Sequence, residues 1–360
     1  MTKAATMKVS DLKEFISIWG LAAIDDGSDV LTFTKPEDYT VSFAGMHVGA
    51  RRVQNQNQDI DIEGLTDKPV SVQGAMLHGA LALMDDTASL TAELSGTSLR
   101  LKAGARTATV RTVDRGGEFV LPPLTVESQV EIDSADLGPK LDMLAGVAAR
   151  TLDKPALTGI NVSTGSAGLV MRATDGHGRA CMVTQAVRSQ DGDMSFTSPA
   201  ADLGLALREC DRTAFLKQGG SMLHISDGET FIRMSLIQGE YPTFRNLPRN
   251  FTSKLVIPSS TIDVAVRAAN LMSQHGLVTL TSRDDKLRLM VMDEEKGNFD
   301  EELGPTLEPE FTLHFDAEYL SQVAKASGIE TVLQRTPDNP NSVLVSGTGW
   351  YFWLNAIVMN

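Results

Sequence analysis

The chain has little cysteine, no excess of positive charge and no long apolar run, and each shortage removes a class of protein. Cys181 and Cys210 are the only two cysteines among 360 residues. Two are too few for a disulfide framework in a chain of this length, and reduced thiols fit a cytosolic setting. No stretch approaches the roughly 18 uninterrupted apolar residues of a membrane helix, so no membrane partner is expected. The opening residues MTKAATMKVSDLKEF lack the apolar centre of a secretion signal, which again points to the cytoplasm. A formal net charge of -14 argues against a broadly basic surface that coats nucleic acid. Nucleophile-elbow, phosphate-loop and zinc motifs are missing. The six histidines, at 47, 78, 177, 224, 275 and 314, include no pair at close metal-ligand spacing. No catalytic residue, metal or cofactor is therefore expected.

What is present is a repeat. A chain with 42% hydrophobic residues can bury more than one core, and its length predicts two or three domains. Six segments share one form, a polar cap followed by apolar residues at helical spacing. The expected caps lie near Ser10, Ser71, Ser134, Ser198, Ser260 and Asp316, roughly 55 to 65 residues apart, a period that marks a repeated supersecondary unit. Between these segments run short alternating stretches broken by turn signals, SGTS, SRDDK and SDGE among them, as antiparallel hairpins require. Each unit reads as one helix plus about four antiparallel strands. A unit of about 60 residues buries too little surface alone, so pairing two per domain predicts an α+β chain of three similar domains. Boundaries near Pro122, Pro123 and Pro248 give domains at 1–125, 126–252 and 253–360, because proline interrupts strand pairing. The acidic run DEEKGNFDEELGP is expected to be a solvated hairpin loop and its flanks.

The stretch ATDGHGRACM, residues 173–182, holds the densest chemistry. Asp175, His177 and Cys181 are the residue types of a nucleophile with its base, and a cytosolic hydrolase is one reading. Against it, Cys181 lies in the apolar run ACMV and is more simply a small core residue. Asp175 and Gly176 fit a hairpin turn. A β-rich viral structural protein is a further reading that the repeat alone permits.

The segments ALTGINV, LVMRATDGHGRACMV and SLIQGEYPTFRNLP resemble, in order and spacing, the middle domain of the bacterial DNA polymerase III beta subunit, the sliding clamp. The resemblance implies two chains head to tail in a ring around double-stranded DNA, with helices lining the hole. It implies a non-catalytic homodimer that tethers the replicative DNA polymerase and is opened by a clamp loader. It also implies a groove for short partner peptides, built from Thr174, Gly176, His177, Arg179, Pro242 and Leu247 and closed by the C-terminal strand with Ile357, Val358 and Met359. Where the family follows this histidine with a basic and then an aliphatic residue, the chain has Gly178 and Arg179. By the same resemblance Arg150 and Lys154 face DNA, and Leu271 and Met272, at the end of the fifth expected helix, form the dimer interface.

Overall fold

The computed structural model describes residues 7–10, 12–13, 30–33, 41–45, 49–55, 62–63, 70–113, 124–135, 137–151, 154–166, 168–210, 212–227, 230–244, 251, 253–293, 295–306, 309–336 and 339–357. Five helices follow the expected period: α1 (Gly74–Ala82), α2 (Gly138–Val147), α3 (Ala200–Glu209), α4 (Ser259–Met272) and α5 (Ala317–Ser327). Among the described residues, four strands separate α1 from α2, α3 from α4 and α4 from α5. Between α2 and α3 there are five, because Ala186 interrupts one into Arg179–Gln185 and Val187–Asp191. The helix-plus-four-strands unit is thus observed. Of the first expected helix, residues 9–10 and 12–13 are helical, with Val9 and Leu12 buried; residues 14–29 lie outside the described residues, as do Pro122, Pro123 and Pro248.

Three of the helices, α1, α2 and α3, start later than the serines predicted. Ser71 and Ser198 belong to the strands Val70–Gln73 and Ser195–Pro199. Ser134 donates its hydroxyl to the carbonyl of Cys210 at 3.0 Å. Ser260 lies inside α4, and the helix opens at Ser259, whose hydroxyl shares a hydrogen bond with Thr331. Asp316 does cap as expected, its carboxylate accepting the Glu318 N–H at 2.8 Å. Gln73, Pro258 and Asp316 precede their helices with ψ of 125°, 128° and 128°, so the last residue of an extended strand stands at each cap position, and of the three only Asp316 caps with its side chain. Once docked, α4 buries Ile262, Ala265, Val266 and Ala269 on one stripe, the spacing an amphipathic helix needs.

The acidic run is a hairpin loop and its flank: its beginning turns, and Gly297–Pro305 is a strand paired with Lys286–Asp293. Lys286 and Arg288 meet Glu302 and Asp300 across that pair at 3.0 and 3.2 Å, which offsets part of the acidic repulsion within the sheet. The preceding hairpin turns on Asp284 and Asp285, both at positive φ (52° and 57°), a conformation aspartate tolerates in two-residue hairpins.

The chain packs as two compact units. One comprises residues 1–135, 187–194 and 201–237, the other residues 136–186, 195–200 and 238–360. In the first, one sheet runs through Gly49–Asn55 and Thr230–Ser235, which pair antiparallel with Arg52 opposite Arg233. In the second, a sheet of eight strands joins Arg179–Gln185 to Trp350–Asn355, with Cys181 opposite Phe352. A separate sheet of four strands carries Gly297–Pro305 at its edge. Strands distant in sequence therefore pair edge to edge, so the middle third of the chain contributes to both units.

Candidate functional site

The turn after the strand Gly168–Thr174 is built by its own side chains. Asp175 Oδ1 accepts the N–H groups of His177, Gly178 and Arg179 at 2.9, 3.1 and 3.0 Å. Its Oδ2 accepts from Arg179 Nε at 2.6 Å. Thr174 donates its hydroxyl to the Arg179 carbonyl at 2.6 Å and accepts the Gly176 N–H at 3.1 Å. Gly176 has φ +76°, the left-handed region that favours glycine, and a Cβ there would come within 2.9 Å only of a Leu157 methyl, which can move aside.

Burial alone would raise the Asp175 carboxyl. The hydrogen bonds from His177 and Arg179, and the Arg179 charge, outweigh it and hold the group below its usual range. A depressed carboxyl stabilises the folded state above the unfolded value, and that contribution disappears as pH falls through the folded one. Replacing Asp175 by Asn should therefore cost about 1–3 kcal/mol at pH 7, because it strands a buried guanidinium. Urea unfolding should show the gap between variant and wild type closing in acid.

The other walls come from distant sequence. Arg179 pairs with Leu354 in the sheet and Ala180 with Trp353, and the Asn355 N–H reaches the Gly178 carbonyl at 3.0 Å. Alternation along Trp350–Asn355 sends Trp350 and Phe352 into the core with Cys181 and Val183, all at most 2% exposed. Tyr351 and Trp353 stack on the opposite face, 5.8 Å apart. There Phe244 meets Trp353 edge-on at 6.5 Å, and Met182 and Phe251 complete the cluster around Ala180, Leu344 and Trp353. Tyr241 seats against Thr174: burial pushes its phenol up, with the Thr174 backbone and Arg172 opposing. The chain then leaves the sheet, and the Ile357 N–H binds the His314 carbonyl at 2.8 Å.

Thr174, Gly176, His177, Arg179 and Pro242 lie on and beside one sheet, with His177 and Pro242 exposed, whereas Ile357 pairs with His314 of the four-stranded sheet. Leu247, Val358 and Met359 lie outside the described residues. Sequence reasoning missed Leu157, Tyr241, Phe244 and Trp353; the aromatic spacing of EYPTF was the available signal. Arg150 is exposed and pairs with Glu318 on α5 at 2.6 Å, and Lys154 is exposed before the short turn Pro155–Thr158. Leu271 is 76% exposed at the end of α4, with Met272 half-buried. A cavity of about 460 Å³ lies elsewhere, on the four-stranded sheet between Thr279, Arg288 and His314.

The hydrolase arrangement is not assembled. Cys181 is fully buried, and burial pushes its thiol up, the opposite of an activated nucleophile. Asp175 is committed to the turn. Among the described residues no cluster of His, Cys, Asp or Glu could hold a metal ion, and no helix is long and apolar enough to cross a membrane.

Strand-to-helix repeats and sheets continued edge to edge define a fold of the DNA-clamp type. The resemblance to the bacterial DNA polymerase III beta subunit holds along the chain. The beta sliding clamp of Synechococcus elongatus is 21% identical over 296 residues, 78% of each chain. The Thermotoga maritima beta subunit superposes with TM-score 0.79 at 16% identity, covering 99% of both chains. The Pseudomonas aeruginosa sliding clamp, bound to griselimycin, gives 0.78 at 17%, covering 98% of this chain and 99% of that one. The Helicobacter pylori clamp bound to a DNA ligase peptide gives 0.74 at 16%, with the same coverage. No family model matches the chain.

Proposed function

We propose that the protein is a non-catalytic sliding clamp: two copies close head to tail around double-stranded DNA and tether a replicative DNA polymerase through the groove at Thr174–Arg179. The observation that carries this reading is the joining of Arg179–Val183 to Trp350–Leu354 in a clamp fold, with Phe244 packed on Trp353 beside that joint. Tethering turns rebinding of the polymerase into an intramolecular event, worth roughly 10²- to 10⁴-fold in avidity without chemistry. Three domains, at 1–125, 126–252 and 253–360, form each half of the ring. A clamp loader opens it, and it works in the cytoplasm.

Two strand edges support head-to-tail closure. Gly297–Pro305 has a partner on one side only among the described residues and carries Asp300, Glu301 and Glu302. Among the described residues, Arg106–Val113 is open over its first residues, with Arg106 and Arg111, since its second partner begins at Thr112. Unpaired edges of opposite charge complement each other between copies. Exposed Leu271 and Met292 lie in the same unit as the acidic edge, and exposed Met76 and Leu83 in that of the basic one. Arg150 and Lys154 face DNA. Enclosure makes a modest set of phosphate contacts sufficient, which reconciles DNA with the net charge of -14.

The groove is tested by deleting residues 358–360. Loss of the apolar side chains of Val358 and Met359 should weaken binding of a fluorescein-labelled DNA ligase peptide about tenfold or more. The dimer mass should stay unchanged. Undiminished affinity in a calorimetric titration would return the turn to a purely structural role.

A further inference from the structure

We propose that Arg179 is a positioning residue of the groove: without touching the peptide, it fastens the Thr174–Gly178 turn to α5 through the ring of Tyr319. The inference rests on the groove reading above. The guanidinium carbon stands 4.0 Å from the centre of the Tyr319 ring, while Nε is held by Asp175 at 2.6 Å. The Nη1 atom is buried and meets no oxygen or nitrogen partner among the described residues. The aromatic face is therefore the main compensation for desolvating that side of the cation. With Nε–H committed to Asp175 and the guanidinium plane seated on the ring, the side chain is held within the turn and is not free to follow a ligand.

What the attachment fixes follows from the chain path. Tyr319 lies in the first turn of α5, which continues directly from the strand Phe311–Asp316. The His314 carbonyl of that strand binds the Ile357 N–H, and the Asn355 N–H binds the Gly178 carbonyl. One strand-to-helix corner, His314 to Tyr319, thus holds the tail through Ile357 and the turn through Arg179. The spacing of two groove walls is set by a single rigid element, and Arg179 is the side chain that ties the turn to it. A ligand that needs both walls at a fixed separation pays less ordering cost when they are pre-set.

The test is a double-mutant cycle with Arg179→Met and Tyr319→Leu, read as affinity for the labelled DNA ligase peptide, with circular dichroism confirming that each variant folds. Each single change should weaken binding about three- to tenfold. The double variant should be no weaker than the worse single one, because both changes cut the same attachment. Tyr319→Phe keeps the ring face and should bind as the wild type does. Independent, multiplying losses in the double variant would mean that Arg179 contacts the peptide itself and would overturn the proposal, as would unaltered affinity in the single variants. A Phe substitution as damaging as Leu would also overturn it. Failure of the groove itself looks different: the wild type then binds no peptide, or binds one equally well after deletion of residues 358–360, and both readings fall together.

Discussion

Loaded onto nicked circular DNA and washed at high salt, the protein should stay bound, and cutting the circle with a restriction enzyme should release nearly all of it. A protein that grips phosphates through Z cations loses affinity with salt at a slope near -0.9Z, so a strong wash would remove it from any duplex. A closed ring cannot leave a circle by losing those contacts; it needs an end. The acidic composition makes the contrast large, since the -14 charge opposes adhesion while leaving enclosure untouched. Binding to linear duplex should be weak and strongly salt-sensitive. Arg150→Glu or Lys154→Glu should weaken the linear complex or slow loading, with little effect on retention once the ring is closed. Loss of all protein in the salt wash, or none on cutting, would remove the ring from consideration.

Leu271→Asp should convert a particle of about 78 kDa into the 38.8 kDa chain at micromolar concentration. Leu271 is 76% exposed on α4, far from what a large aliphatic side chain gains by burial, about 1.5–3 kcal/mol. A head-to-tail ring of two copies contains the contact twice. Losing it at both positions costs about 3–6 kcal/mol before any penalty for burying carboxylates, a change of at least about a hundredfold in dimer affinity. Sedimentation or light scattering reads the result directly. A wild-type protein that is already monomeric would count against closure, and a Leu271→Asp dimer as tight as the wild type would move the interface elsewhere.

The repeat was legible because it is local. Helices α1 to α5 and the intervening strands follow from apolar spacing and turn residues, and that periodicity is decided within each window of ten or so residues. The turn at 174–178 was legible for the same reason: Asp175 and Gly176 carry the short-range chemistry that bends the chain. Helix starts were less so. Ser71, Ser198 and Ser260 look like caps in isolation, yet two of them sit in strands and the third within α4. A serine in a ladder and a serine before a helix have the same local signature, and the partner strand decides between them.

By itself the sequence determined the unit, its period, the α+β character and the placement of Cys181 in an apolar strand, since each depends on residues close along the chain. The tertiary structure decided what those units join. It paired the acidic edge strand Gly297–Pro305 with a strand that supplies Lys286 and Arg288 opposite it, and brought Trp353 and Asn355 beside Ala180 and Gly178. It also set the Arg179 guanidinium between Asp175 and Tyr319, which lie far apart in the sequence. Strand edges carry unsatisfied N–H and C=O groups whatever their side chains, so the choice of partner is made by the packing of whole sheets, a property no short stretch of sequence contains.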